Sequence, residues 1–204
     1  TPNLDCSETD KVRESSSNSP MAQPPTKTDR RIARTEYSLH RALNTLVLEK
    51  GYSATTVHDI ACRANVGRST LYAHHGGKEG LLLHGLQHFH EALRAAPSTS
   101  SSTPPVLLGF SRTFFEHVHS YRDIFAALRS DECGTVVVQK MKRMLRDLIR
   151  EELKSTGNER RRAPIPQGAL VRFTVGSIFS VLMWWLDEAS TLPPSEADRI
   201  FRQL

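Results

Sequence analysis

Residues 55–81 read TTVHDIACRANVGRSTLYAHHGGKEGL, and this stretch decides the fold. Thr56 suits a helix N-cap, and Asp59 follows three residues later in the pattern of a capping box. The short helix VHDIACRA comes next. Asn65 tolerates the left-handed conformation that turns a chain. A second short helix, RSTLYAHH, runs from Arg68 to about His75, and Gly76 and Gly77 break it. At about 100° per residue, Leu71 and His75 share the inward side of this helix. Ser69, Tyr72 and Ala73 fall on the opposite side, with Arg68 at the amino end and Thr70 and His74 on the flanks. A two-turn helix is marginal by itself. This one packs by a narrow edge and turns polar side chains outward. The major groove of DNA admits one such helix. Arg can bond both acceptors of a guanine edge, while Ser, Thr, Tyr and His mostly reach phosphates. The helix N-termini at Thr56 and near Arg68 can each offer backbone N–H groups to phosphate. From Arg63 to Lys78 the formal charges are Arg63, Arg68 and Lys78, with no acidic residue.

Outward from this stretch, helical spacing dominates. Ile32, Leu39, Leu43, Leu46 and Val47 form one stripe of a helix that begins at about Arg30 and ends at Gly51. A fourth helix runs from Lys78 to about Ala96, with Leu81, Leu82, Leu86, Phe89 and Leu93 inward. Residues 97–105, PSTSSSTPP, read as a polar linker and a domain boundary. Beyond it, helices are expected at about 105–118, 121–129, 134–155, 166–189 and 195–204. Val137, Met141, Met144, Leu145, Leu148 and Ile149 stripe the third of these. No segment alternates like a strand, so the chain reads as all-α. Residues 1–28 hold few large apolar residues and many Ser, Thr and Pro, the composition of a disordered tail. The organisation is therefore a tail (1–28), a first helical region with its two short helices and a connecting helix (29–96), a linker (97–105) and a second helical region (106–204).

Composition sets outer bounds. The net charge of +5 favours a polyanionic partner. Three cysteines, Cys6, Cys62 and Cys133, form no C-x-x-C pair, which fits a reducing, cytoplasmic compartment and no disulfide framework. No run of about eighteen apolar residues is evident, so no membrane span is expected, and the first residues carry no apolar signal segment.

Preceded by LEKGYSA (48–54), the opening stretch resembles the DNA-binding domain of TetR-type transcriptional regulators. The resemblance rests on Gly51, Tyr52, Thr55, Thr56, Ile60, Ala61, Thr70, Leu71, Tyr72, Lys78, Glu79 and Leu81, and covers about residues 30–80. It implies a helix-turn-helix at about 56–75. By position it places Arg68, Ser69 and Ala73 nearest base edges and Thr56, Thr70, Tyr72, His74 and Lys78 against phosphates, with Thr55 also among the DNA-binding residues. Three positions depart from the family pattern. Asn65 stands where Gly is usual, Gly67 where Ser is common, and His75 where a core Phe is usual. An imidazole there must find a hydrogen bond or suffer desolvation.

FFEHVHSYRDIFAALRS (114–130) and VGSIFSVLMWWLDEASTLPPSEADRI (175–200) resemble the C-terminal domain of some TetR-type proteins. That resemblance implies a homodimer whose last helices pack on their twins, with Phe173, Ser177, Val181, Trp184 and Trp185 at the interface. It also implies a repressor released from its double-stranded operator by a small-molecule effector. Phe110, Phe114, Phe125, Met141, Met144 and Phe179 are the candidate pocket lining. No cofactor is assigned. His84 and His88, four apart on one helix face, are a feasible chelating pair for an alternative metal-responsive regulator, with His90, His117 or His119 as further donors. Cys62 reads as a small core residue and the ERRRAP run (159–164) as a solvated loop. No Gly-rich phosphate loop, activated nucleophile or paired-carboxylate setting is present, so an enzyme is not expected. A helical adaptor without specific DNA binding is the remaining alternative.

Overall fold

The computed structural model describes residues 27–96, 108–155, 165–188 and 191–204. The expected tail, the linker, Cys6 and the ERRRAP run lie outside these, apart from the two tail residues Lys27 and Thr28. Among the described residues the elements are α1 (Lys27–Lys50), α2 (Val57–Ala64), α3 (Arg68–His75), α4 (Lys78–Ala95), α5 (Phe110–Ser120), α6 (Arg122–Arg129), α7 (Gly134–Ser155), α8 (Gln167–Asp187) and α9 (Pro194–Gln203), with no strand. The all-α reading holds.

Local chemistry sets the helix ends around α2 and α3. Thr56 and Asp59 form a complete capping box at the start of α2. At its end Asn65 adopts φ 54° and ψ 48°. The Val66 N–H bonds the Ala61 carbonyl at 3.0 Å and the Asn65 N–H bonds that of Cys62 at 3.1 Å. This is a Schellman closure with Asn in the position glycine usually takes. Gly76 caps α3 with a positive φ of 68°. Gly80 then allows a close approach, because a Cβ there would stand 1.7 Å from the carbonyl oxygen of His75. The first turn of α4 is jammed against the end of α3, and only glycine fits.

The buried stripe of α1 is Leu39, Ala42, Leu43, Leu46 and Val47. Ile32 was expected to join it but is exposed. Leu82 and Leu86 are only partly buried. The core does not stop at the expected boundary. Phe89 of α4 stacks on Phe114 of α5 with ring centroids 5.9 Å apart. Asp131, just after α6, accepts hydrogen bonds from the backbone N–H and hydroxyl of Ser53 in the α1–α2 loop. In the C-terminal half the α7 stripe is buried as expected. The Ser111 hydroxyl meets the Asp198 carboxylate inside the α5–α9 contact, and Arg202 pairs with that carboxylate at 3.0 Å.

α8 corrects one expectation. By length and composition alone it is apolar enough to cross a membrane. Interspersed Gly, Ser and Thr hid this, since no unbroken apolar run exists. Its inner side, including Val171, Val175, Ile178, Leu182 and Trp185, is core.

Candidate nucleic-acid interface and cavity

α3 presents the face its periodicity predicted. Leu71 is fully buried, Thr70 and His75 are half-buried, and Arg68, Ser69, Tyr72, Ala73 and His74 are exposed. The hydroxyls of Ser69 and Thr70 both lie beside the helix start at Gly67, which itself offers no side-chain cap.

Around this face the structure redistributes several residues. Thr55 is buried, and its hydroxyl donates to the Gly51 carbonyl at 2.7 Å. It closes the end of α1 and is not available to DNA. The Thr56 hydroxyl is held by Asp59, accepting from its N–H at 3.1 Å and donating to its carboxylate at 2.6 Å. Lys50 completes this arrangement at 2.7 Å. Hydrogen bonds from Lys50 and Thr56 hold the Asp59 carboxyl far below its ordinary range. A carboxylate already occupies the α2 N-terminus, where a phosphate would have to bind.

Lys78 is turned inward. Its ammonium donates to the carbonyls of Thr55 at 2.9 Å and Tyr52 at 3.0 Å, and lies 4.5 Å from the Tyr52 ring centroid. It staples α4 to the α1–α2 loop. Arg63 forms a two-pronged pair with Glu49 at 2.8 and 2.7 Å. Of the three cations from 63 to 78, Arg68 alone has no partner among the described residues. Arg30, Arg31 and Arg34, outside the expected contact set, are exposed on the first turns of α1. The basic run KTDRRIAR was the available signal.

A cavity of about 280 Å³ lies between the two halves of the chain. Its walls come from α1 (Leu43, Asn44), α4 (Leu82, Leu86, Phe89), α5 (His117, Val118), α6 (Ile124, Phe125, Leu128) and α7 (Val137, Met141), with His40, His88 and Tyr121 at the lining. Two of the six expected lining residues, Phe125 and Met141, are in place. Phe114 sits behind the wall against Phe89. Phe179 packs beyond Phe114, with Lys142 5.0 Å from its ring centroid. Phe110 and Met144 border other clefts. The lining was misplaced because half of it comes from α1 and α4, which read as parts of a separate domain. His117 stacks flat on Phe89, ring centroids 3.9 Å apart. Burial lowers its pKa to about 4, so it is a neutral aromatic wall at pH 7.

The expected dimer residues also divide. Phe173 is 71% exposed and Trp184 36% exposed on the outer side of α8. Between them, the hydroxyls of Ser177 and Ser180 donate to the carbonyls of Phe173 and Gly176 at 3.0 and 2.9 Å. Turned into their own helix, they leave a smooth face of low polarity. Val181 and Trp185 belong to the protomer's core instead, and the Trp185 indole donates to the Leu192 carbonyl at 2.9 Å. Residues 184 and 185 are neighbours in sequence but about 100° apart around a helix.

Among the histidines, His117 stacks on Phe89. His119 stacks on Trp185, while His40 and His75 flank the His84 ring. Cys62 is exposed, not core. Burial pushes the Cys133 thiol up to about 11, which makes it a poor nucleophile.

Comparison with known proteins agrees with this architecture. Residues 41–84 match the family model of bacterial regulatory proteins of the tetR family, and residues 107–204 match that of a transcriptional regulator C-terminal region. The chain is 40% identical over 55 residues to YxbF, an uncharacterized HTH-type transcriptional regulator of Bacillus subtilis; the match spans 26% of this chain and 14% of that relative. A TetR-family transcriptional regulator from Syntrophomonas wolfei superimposes with a TM-score of 0.67 at 15% identity, over 83% of this chain and 92% of its own. FadR of Thermus thermophilus, a TetR-family transcriptional repressor solved with lauroyl-CoA, superimposes with a TM-score of 0.54 at 21% identity, over 83% and 92%. The structural likenesses are of fold. The two family models carry the assignment, with helix-turn-helix and regulatory region in register with α1–α4 and α5–α9: this chain belongs to the tetR family of transcriptional regulators.

Proposed function

We propose that the protein is a homodimeric, cytoplasmic repressor that reads a two-fold DNA operator and is released by a small apolar or aromatic molecule. The observation that carries the reading is the outward face of α3, where a free Arg68 stands above a fully buried Leu71. Arg68, Ser69 and Ala73 read base edges, and Thr70, Tyr72 and His74 contact phosphates. The exposed α1 arginines add backbone contacts. Lys78 and Thr55 act indirectly, by holding the α1–α2 loop against α4.

Two protomers joined through the outer face of α8 would set two α3 helices about one DNA turn apart, or about 34 Å. The cavity suits the release step. An occupant touches α4, which follows α3 directly, and α1, which leads into α2. The cavity volume of about 280 Å³ lies just below the usual range of ligand sites, about 300–1,000 Å³. The lauroyl-CoA held by the Thermus thermophilus relative supports an apolar effector class. DNA and effector then oppose each other through linkage.

Fluorescence anisotropy against DNA flanking the protein's own gene, beside random duplex, at several salt concentrations, tests the reading. Selective binding that survives higher salt is the expected result. Equal and steeply salt-dependent binding to both duplexes would favour the helical adaptor.

A further inference from the structure

We propose that Glu36, His75 and His84 form a binding site for a transition metal of the zinc, cobalt and nickel class, which clamps the end of the recognition helix to α1 and α4. The regulatory consequence rests on the DNA-binding reading above; the site itself does not.

The ligand atoms of the three residues all lie within 4.8 Å of one another. Donors about 2.1 Å from a tetrahedral zinc stand about 3.4 Å apart, so modest side-chain rotations close the set. The three residues come from three helices. Glu36 is on α1, His75 is the last residue of α3, and His84 is on α4. Two imidazoles and one carboxylate are a zinc-type donor set that leaves a fourth position for water, and they do not suit calcium or magnesium.

Independent features point the same way. The Nε2 of His75 is buried and has no hydrogen-bond partner, so a nitrogen is aimed into the protein with nothing to receive it. His40 places its Nε2 3.2 Å from Nδ1 of His84. That contact engages one nitrogen of the His84 ring and leaves the other for a metal, the outer-shell arrangement that orients ligating histidines. The His40 and His84 rings lie nearly parallel, 15° apart. Gly85 makes room for them, since a Cβ there would sit 3.3 Å from the His40 ring. A surface cleft lined by His75, Gly80 and His84 opens the cluster to solvent. His88, the feasible chelating partner of His84 in the sequence, lies outside this three-residue group, and its ring packs edge-on against His84 with ring centroids 4.4 Å apart.

The test is titration of the chelator-stripped full-length protein with Co²⁺, read by its visible d–d absorption, and with Zn²⁺ by calorimetry. One ion per chain is expected. His84→Ala and Glu36→Gln should each weaken binding tenfold or more, with folding checked by circular dichroism. Glu36→Gln is the milder change, at a half-buried position. His58→Ala removes the exposed His58–Cys62 pair, 3.7 Å apart, and should leave affinity unchanged. No binding, binding indifferent to both site variants, or binding lost in His58→Ala would overturn the site. DNA anisotropy with and without Zn²⁺ then reads the clamp. A protein that binds metal and its operator, with operator affinity unmoved by Zn²⁺, overturns the regulatory consequence alone. A protein that binds metal but no operator leaves the site standing and refutes the repressor reading instead.

Discussion

The helix-turn-helix and the outer helix α8 bury their side chains by different rules. Around α2 and α3 the core is small, and position is set by near neighbours: a capping box, a Schellman closure, and glycines at 76 and 80. In α8 almost every side chain is apolar or small, and no local signal says which of them face inward. Phe179 is buried and Phe173 is 71% exposed on the same helix. The comparison shows that local chemistry specifies orientation where polar groups must be satisfied, whereas an apolar helix takes its orientation from what it packs against.

Adjacent tryptophans offer the largest test of this contrast. Trp185→Ala should destabilise the protomer by about 3–5 kcal/mol, because a fully buried ring leaves a cavity. Trp184→Ala should leave protomer stability within about 1 kcal/mol and weaken self-association, measured by chemical denaturation and by static light scattering across protein concentrations. Equal stability losses would mean that α8 is rotated from the orientation described here.

Two Gly→Ala changes should have opposite signs. Gly80→Ala should cost about 3 kcal/mol or displace α3 from α4, because its Cβ meets the His75 carbonyl at 1.7 Å. Gly176→Ala, with nothing within 4 Å of its Cβ, should stabilise the isolated helix by about 0.5–1 kcal/mol. Thermal melts decide the first, and melts beside dimer dissociation the second.

Two cations separate folding from binding. Lys78→Met should lower stability by about 1–3 kcal/mol by orphaning the carbonyls of Tyr52 and Thr55. Arg68→Ala should leave the melt unchanged and cost about 1–3 kcal/mol of operator binding. If Lys78→Met instead reduced the salt slope of DNA binding with no loss of stability, the lysine would be a phosphate contact after all.

His117 gives a pH-dependent effect of similar or smaller size. Its folded pKa of about 4 lies below the ordinary value of 6.5. The unfolded chain therefore binds more protons in that window, and stability falls as pH drops from 6.5 toward 4. The contribution is on the order of 2 kcal/mol after allowing for the ring's partial exposure. His117→Phe, which keeps the stack on Phe89, should flatten the profile, as followed by urea midpoints across that range.

The sequence by itself determined the boundaries of α2, α3 and α4, the turn between α2 and α3, and the outward face of α3. Each follows from period, caps and glycines within a few residues of one another, so no distant partner is needed to read them. Tertiary structure alone decided the rest. Lys78 looks like a DNA contact until the α1–α2 loop folds onto α4 and offers its carbonyls to the ammonium, and Thr55 does so until that loop buries it and turns its hydroxyl to the Gly51 carbonyl. The cavity needs helices from both halves of the chain. Glu36, His40, His75 and His84 are far apart in sequence and meet only because α1, α3 and α4 converge on one point. Long-range packing chooses among side chains that local propensity treats as equivalent, and for that reason these groupings have no signature in the linear chain.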